Sequence, residues 1–225
     1  SLIRQGKSLA VCGEAGTGKS MLVKSIVNQL DPKAFRVATI PYGGIKPAAI
    51  LRELCEAFDI DLTGRKSMLA RLQKNFQPKA DKPFPVIIVD DAHVMEKTSF
   101  LDLCSLLHDA QTRTAAAVLV LAGQPVLKKM LELDVFAPVR TRLAYIGKLP
   151  QLTIDEAKEF IAFRLNIAQA DPHLFQEQAC ECIAADSNGN RRMIMNLAAL
   201  CMEEAAMRRE KTVSPEILDA IAMER

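Results

Sequence analysis

The chain has 225 residues, of which 49% are hydrophobic and only 5% aromatic, and its formal net charge is +2. This length suits one large domain, or one domain with a small companion, around an aliphatic core. So weak a net charge excludes a strongly basic protein, and any nucleic-acid-binding surface has to be local. No apolar run approaches the roughly 18 residues that cross a bilayer, and no signal peptide is visible.

The six cysteines are scattered along the chain without a C-x-x-C pair. Four of them, Cys12, Cys55, Cys104 and Cys201, fall on apolar faces of predicted elements. Such positions favour buried, reduced thiols over a disulfide framework or a zinc site. We therefore expect a cytoplasmic protein.

A glycine-rich segment follows the apolar run Ser8–Cys12 and precedes a helical pattern over residues 21–27. Strand, glycine loop and helix form the context in which G-x-x-x-x-G-K-[S/T] marks a phosphate-binding loop. Its glycines let backbone N–H groups turn toward phosphates, and the helix N-terminus adds positive partial charge. Lys19 is expected to reach the β- and γ-phosphates of a nucleoside triphosphate, and the Ser20 hydroxyl to ligate Mg²⁺. The alternative is an ordinary glycine turn before a helix. The segment reads Gly13, Glu14, Ala15, Gly16, Thr17, Gly18, Lys19, Ser20.

Strand and helix patterns then alternate. Residues 35–40 read as a second strand, and residues 47–58 and 65–76 place apolar side chains at helical spacing. A proline- and lysine-rich loop over 77–85 precedes the next strand.

Two adjacent acids follow the β-branched run over residues 86–89. Such a run suits a strand buried on both faces of a parallel sheet, whose carboxyl end is where ligands bind in open α/β folds. Asp90 is expected to hold the Mg²⁺ shell, and Asp91 to orient or deprotonate an attacking water. The alternative is a solvated turn. His93 is interpreted as a structural or supporting residue, because no nearby His or Cys suggests a metal cluster.

Further candidates lie near the next two strands. Residues 100–108 have a helical pattern, and residues 115–121 read as a buried strand that leads to Gln124. A polar side chain at that strand tip can contact both the γ-phosphate and the water, although Gln124 could instead cap the helix that follows, over 126–133. Arg140 and Arg142 precede a last strand over 143–148. Arginines there can reach a neighbouring subunit's nucleotide and stabilise charge in the transition state; the alternative is a basic surface pair.

From residue 149 onward the pattern is helical only. Thr153 and Glu156 form a capping box that opens a helix through 167. Asp171-Pro172 is predicted to begin a second helix through 185, and the remaining helices are predicted over 191–209 and from Ser214-Pro215 onward. We therefore predict an α/β nucleotide-binding domain over residues 1–149 and a helical lid over residues 150–225.

This combination of motifs resembles an AAA+ ATPase. More narrowly, segments 86–93, 121–125, 140–142, 152–156 and 189–194 resemble the ExeA/TniB-like branch. That branch includes the transposition regulators TniB, TnsC and MuB and the secretion ATPase ExeA, also called GspA. The resemblance implies a P-loop parallel sheet flanked by helices with a small C-terminal helical lid. It also implies ATP and Mg²⁺ as cofactors and head-to-tail self-assembly into a ring or helical filament.

Site residues follow from the same resemblance. Two positions depart from the family pattern. Asp91 stands where glutamate is usual, so we expect slow hydrolysis, and Arg191 stands where proline usually precedes the sensor 2 arginine. This second departure leaves open whether Arg191 or Arg192 reaches the nucleotide. The resemblance assigns residues 13–20 to Walker A, Asp90 to Walker B, Gln124 to sensor 1, Arg140 and Arg142 to the arginine-finger region, and Arg192 to sensor 2.

The function implied is an ATP-dependent oligomerising switch, a transposition regulator that assembles on double-stranded DNA and recruits a transposase. Lys46, Arg65 and Lys66 are expected on the side where related assemblies line their DNA channel, although a solvated helix face is the alternative for each. Two other functions stay open. One is the cytoplasmic ATPase domain of an ExeA/GspA-type secretion factor, and the other is a replication-initiator-like DNA-binding ATPase.

Overall fold

The structure is a computed structural model that describes residues 2–78, 82–109, 112 and 114–223. The chain divides into two compact units. The first comprises Ser1–Gly13 and Lys19–Leu149, and the second comprises Glu14–Gly18 and Pro150–Arg225. Among the described residues, no helix combines the length and the apolar character needed to cross a membrane.

Five parallel strands form the sheet of the first unit. Their order is β2-β3-β4-β1-β5, so β4 lies between β1 and β3 and pairs with both. All carboxyl ends therefore meet at one edge, with the residues after β4 between those after β1 and β3. The strands are β1 (Ser8–Cys12), β2 (Phe35–Ile40), β3 (Phe84–Val89), β4 (Val118–Gly123) and β5 (Leu143–Lys148).

Helices cover both faces of this sheet because the strands are apolar on both faces. On β3, Val86 and Ile88 join the core on one face, and Ile87 and Val89 join the core on the other. None of these four side chains has measurable exposure. Full burial of such a side chain stabilises the fold by about 1.5–3 kcal/mol. The helices are α1 (Lys19–Asn28), α2 (Pro47–Ala57), α3 (Met68–Asn75), α4 (Lys97–Ser105), α5 (Pro125–Glu132) and α6 (Ala137–Arg140).

The described C-terminal part of the second unit is helical and has its own aliphatic core. The predicted capping box is present: the Glu156 N–H donates to Thr153 Oγ1, and the Thr153 N–H donates to Glu156 Oε2. Ile161, Ile183, Ile194 and other apolar side chains of all its helices pack together. These helices are α7 (Ile154–Ile167), α8 (Glu177–Asp186), α9 (Arg191–Met207) and α10 (Pro215–Met223).

The predicted helix start at Asp171 is wrong, because α8 begins at Glu177. The Asp171 carboxylate instead accepts the His173 N–H and its carbonyl accepts the Leu174 N–H, which makes an Asx-type turn. Phe175 then pairs with Val213 in an isolated β-bridge, which holds the segment extended up to the helix.

The helix predicted over 100–108 also differs from the structure, because α4 ends at Ser105. The Leu107 carbonyl accepts the Ala116 N–H, and His108 bridges to Ala115, so the segment leading into β4 ends the helix. Four cysteines, Cys12, Cys55, Cys104 and Cys201, are buried as predicted.

Candidate functional site

The candidate site lies where β1, β3 and β4 end. Their hydrogen-bond ladders run one residue past the strands, since the Gly13 N–H donates to the Gly123 carbonyl at 3.0 Å. The Asp90 N–H likewise donates to the Ile40 carbonyl at 2.9 Å. Backbone pairing therefore fixes the starting points of the glycine loop, the acidic pair and the Gln124 segment at one edge of the sheet.

Ser20 and Asp90 are in direct contact although 70 residues separate them. The Ser20 hydroxyl donates to Asp90 Oδ2 at 2.5 Å, and Asp90 Oδ1 accepts the Asp91 N–H at 2.9 Å. A hydroxyl and a carboxylate are oxygen ligands of the kind that Mg²⁺ prefers, and Mg²⁺ usually keeps several waters and substrate phosphate oxygens. Among the described residues, no group of three or more His, Cys, Asp or Glu could hold a metal. The pair therefore fits a magnesium ion shared with a phosphate, rather than a cage made by protein alone.

Lys19 is buried at the start of α1. Its ammonium donates to the Gly13 carbonyl at 2.9 Å, so the charge is held close to the base of the loop. The backbone of Gly13 does not have a positive φ, and its N–H donates to the Gly123 carbonyl. The expectation that Gly13 turns its N–H toward phosphates is therefore not met in this conformation.

Asp91 follows Asp90 with a left-handed backbone, at φ 48° and ψ 37°. Asp tolerates this region better than most side chains. Its side chain is 46% exposed, and its Oδ1 lies 3.9 Å from Nδ1 of His93, whose side chain is largely buried. Asp90 and Asp91 thus point their carboxylates differently: one toward Ser20, the other toward solvent and His93.

Gln124 occupies the N-cap position of α5, but its half-buried side chain makes no capping hydrogen bond. Its backbone carbonyl accepts the Leu127 N–H instead. The capping alternative therefore holds for the backbone alone, and the side-chain amide is left for another partner at the carboxyl edge of the sheet.

Arg140 and Arg142 make different contacts. One guanidinium nitrogen of Arg140 donates to the carbonyls of Leu131 and Glu132, at 3.1 and 2.7 Å, and so caps the C-terminal end of α5. Arg142 is exposed and donates to the Pro138 carbonyl at 2.8 Å. Its positive charge also counters the burial that raises the pKa of the Cys104 thiol. Of these two arginines before β5, Arg142 is the one with an exposed side chain.

The tip of the glycine loop, Glu14–Gly18, belongs to the second unit, because the start of α9 contacts its carbonyls. Arg191 donates from its guanidinium to the Thr17 carbonyl at 2.6 Å, while Arg192 donates its backbone N–H to the Gly16 carbonyl at 3.2 Å. Gly16 and Gly18 have left-handed backbones, with φ of 82° and 95°. Of the two arginines, Arg191 is therefore the one whose guanidinium is seen on the loop.

Sequence reasoning missed Asn190. Its Oδ1 accepts the N–H groups of Arg192 and Met193 as the N-cap of α9, and its Nδ2 donates to the Ala15 carbonyl at 2.6 Å. A Cβ at Gly16 would overlap the Asn190 side chain, so this approach requires glycine there. An Asn directly after Gly189 is a recognisable capping signal, but nothing in the sequence pairs it with the loop.

The basic residues predicted to meet DNA are exposed. Lys46 is the N-cap of α2, and Arg65 and Lys66 lie in the loop before α3. Arg71 holds that loop through its guanidinium, which donates to the carbonyls of Asp61, Thr63 and Lys66. Hydrogen bonds from Arg71 therefore hold the loop in a defined conformation, and its exposed Arg65 and Lys66 carry two positive charges.

Comparisons with known proteins agree with this architecture. A family model described as an AAA domain matches residues 3–131. General secretion pathway protein A of Aeromonas hydrophila is 25% identical over 195 residues, which cover 84% of this chain and 35% of that protein. This chain thus spans about a third of the length of that relative.

Solved structures resemble the chain over nearly its whole length. The Aeropyrum pernix ORC2 protein in its ADPNP-ADP complexes matches with a TM-score of 0.72 and 15% identity, over 99% of this chain and 64% of that one. The Aeropyrum pernix ORC1 protein in complex with DNA matches with a TM-score of 0.67 and 18% identity, over 97% and 59%. At such identity these likenesses establish the fold alone. Because the family model covers more than half of the 225 residues, the chain belongs to the AAA domain family, as the resemblance of its motifs to AAA+ ATPases predicts.

Proposed function

We propose that the chain binds ATP with Mg²⁺ and hydrolyses it slowly, as a switch that controls its own assembly. The observation that carries the proposal is the hydrogen bond between Ser20 and Asp90. It joins the end of the glycine loop to the acid after β3, and it supports the proposal that these two oxygens ligate magnesium next to the buried Lys19. Membership of the AAA domain family supports nucleotide hydrolysis in general.

Each residue has a physical task in this proposal. The glycine loop would hold the phosphates, Lys19 would offset their negative charge, and Ser20 and Asp90 would hold a magnesium ion, which would supply Lewis-acid stabilisation of phosphoryl charge. Asp91 takes a proton from water as the water oxygen bonds to the γ-phosphorus. The bond from the γ-phosphorus to the bridging oxygen breaks, and its electron pair leaves with ADP. Gln124 orients the water through its side-chain amide.

We assign residues 1–149 to nucleotide binding and residues 150–225 to a lid that senses the nucleotide. Arg191 is the better candidate for the sensing arginine, because its guanidinium already donates to the Thr17 carbonyl. Arg192 remains the second candidate, since its side chain is exposed while its backbone N–H contacts Gly16.

Arg142 is our first candidate for the arginine that acts on a neighbouring subunit, and Arg140 is the second. Arg140 is engaged inside its own subunit as a cap of α5, and removing it from there would leave two carbonyls without their donor. An arginine that acts in trans requires head-to-tail packing, which closes a ring or grows a filament. ATP binding would then favour assembly, and hydrolysis would end it.

We further propose that the assembly forms on double-stranded DNA and recruits a transposase. The motif resemblance to transposition regulators supports this role. So does the loop that Arg71 holds by hydrogen bonds, which exposes Arg65 and Lys66. A likeness in fold to ORC1, which was solved in complex with DNA, is compatible with it. Contacts from such a loop to phosphates would tolerate any sequence and weaken with salt.

A secretion role is the second candidate, because general secretion pathway protein A is similar to this chain over 84% of its length. In that role the chain would act as the ATPase part of an envelope assembly factor and would have no need of DNA. Duplex DNA binding separates the two. We expect the ATP-bound protein to bind a duplex at low salt, and failure to bind would favour secretion over transposition.

The nucleotide site is tested by Lys19→Ala, with Lys24→Ala as the matched control, because Lys24 is an exposed lysine on the same helix. Lys19→Ala should weaken ATP binding and abolish ATP-dependent assembly, whereas Lys24→Ala should match the parent in both. Light scattering and a fluorescent ATP analogue measure the two properties. A Lys19→Ala protein that assembles at the parent's ATP concentration would contradict the assignment.

A further inference from the structure

The imidazole of His93 holds a polar atom that is buried without a hydrogen bond. Its side chain is 11% exposed, and within the described part of the chain Nδ1 has no hydrogen-bond partner. A buried donor or acceptor without a hydrogen bond is destabilising, and native proteins contain few of them. The acidic oxygen that faces this nitrogen is Oδ1 of Asp91, at 3.9 Å.

Backbone hydrogen bonds and close packing hold the main chain of His93 in place. His93 lies in a short 3-10 turn over Ala92–Val94, closed by hydrogen bonds from Val94 to Asp91 and from Met95 to Ala92. The end of β4 packs against this turn, since a Cβ placed on Gly123 would lie only 3.2 Å from the backbone nitrogen of His93. The main chain of His93 is therefore fixed and its imidazole is largely buried, while the Asp91 side chain beside it is half exposed.

A short movement of Asp91 would complete the contact. A hydrogen bond from an imidazole nitrogen to a carboxylate oxygen needs a separation of about 2.7–3.2 Å, so the observed gap is about 1 Å too long. A side chain can shift by about this amount without leaving its rotamer well. Because the two groups are two residues apart on one tight turn, no other element has to move.

We propose that His93 is the positioning residue of the hydrolytic site, donating a hydrogen bond from Nδ1 to the Asp91 carboxylate. This rests on the proposed role of Asp91 in accepting the proton of water. The hydrogen bond satisfies the buried nitrogen and restricts a carboxylate that has no side-chain hydrogen bond within the part of the chain that the structure describes. Restriction matters for rate, because a misplacement of about 1 Å in a catalytic group can cost on the order of a hundredfold.

Three substitutions separate this role from simple packing. Asparagine places its amide nitrogen where Nδ1 stands, glutamine reaches the position of Nε2 instead, and phenylalanine fills the volume with no donor. In single-turnover assays, His93→Gln and His93→Phe should lose about tenfold or more in hydrolysis rate, as is typical for residues that orient a functional ligand. His93→Asn should keep at least about a third of the parent's rate. The Kd for ATP should stay within about twofold in all three.

The double variant decides whether the effect passes through Asp91. In an Asp91→Asn background, His93→Gln should cause no further loss, because two residues that act as a unit are not additive. Equal rates for His93→Asn and His93→Gln, or a further loss in the double variant, would overturn the positioning role alone. If Asp91→Asn itself left hydrolysis unchanged, the proposed role of Asp91 would fail and the inference with it. Should His93→Phe not fold, the asparagine and glutamine pair still decides.

Discussion

Replacing Asp91 by glutamate tests whether the reach of this carboxylate limits ATP hydrolysis. The change adds one methylene at the position where AAA+ ATPases usually carry glutamate, and it keeps the charge. Asp91 begins the turn after β3 with a left-handed backbone, and its Oδ1 lies 3.9 Å from His93 Nδ1. The substitution therefore moves the carboxylate outward from a fixed turn.

Asp91→Glu should change both the hydrolysis rate and the stability of the fold. One added C–C bond extends the carboxylate by roughly 1.5 Å. If Asp91 lies too far back by that distance, its correction should raise the hydrolysis rate by about tenfold to a hundredfold. Against this, glutamate is less tolerant than aspartate of φ near +50°, so the variant should lose about 1 kcal/mol of unfolding free energy. That loss lowers the melting temperature but not the rate per folded molecule.

Single-turnover hydrolysis with protein in excess over ATP measures the chemical step, and light scattering measures the lifetime of the assembled state. Asp91→Glu should hydrolyse faster and disassemble sooner, and Asp91→Asn should nearly stop hydrolysis while ATP still binds. The left-handed backbone could instead have re-aimed the side chain so that Asp91 is already well placed. An Asp91→Glu variant no faster than its parent would establish that case and refute the reasoning that a short carboxylate at this position makes hydrolysis slow.

Arg142→Ala should bind ATP normally yet fail to hydrolyse it, and mixing it with Lys19→Ala subunits should restore some activity, because one interface then carries an intact site from each partner. Arg140→Ala should mainly lower the free energy of unfolding, by about 1 kcal/mol, and with it the melting temperature, since it removes hydrogen bonds that cap α5. If no mixing ratio restores hydrolysis, Arg142 does not act in trans. The double variant Arg65→Ala with Lys66→Ala should weaken duplex binding for every DNA sequence and reduce the salt slope by about 2.

Matched variants control for charge and for loop structure in the DNA experiment. Lys24→Ala with Lys33→Ala removes the same charge from exposed positions outside the loop and should leave the salt slope unchanged. Arg71→Ala removes the donors that hold the carbonyls of the loop and should weaken binding without removing a proposed phosphate contact. If the Lys24/Lys33 and Arg65/Lys66 double variants weakened DNA binding equally, Arg65 and Lys66 would contribute only through the net charge of the protein.

Patterns that are local in the chain predicted most of the fold. The strands Phe35–Ile40 and Leu143–Lys148 and the helix Ile154–Ile167 begin and end as expected, because alternation and a capping box depend on neighbours in sequence. The start of α8 was missed because Asp-Pro suits both a helix start and a turn. The bridge from Phe175 to Val213, 38 residues on, decided between them.

The sequence by itself determined the family and located the glycine loop and the acids after a β-branched strand, since both are contiguous motifs. Only the tertiary structure decided which atoms meet. Ser20 reaches Asp90 because parallel strands end at a common edge. The Asn190 and Arg191 side chains contact the loop carbonyls because α9 starts against them. His93 faces Asp91 because the left-handed backbone of Asp91 turns the chain there, a conformation that aspartate tolerates but does not require.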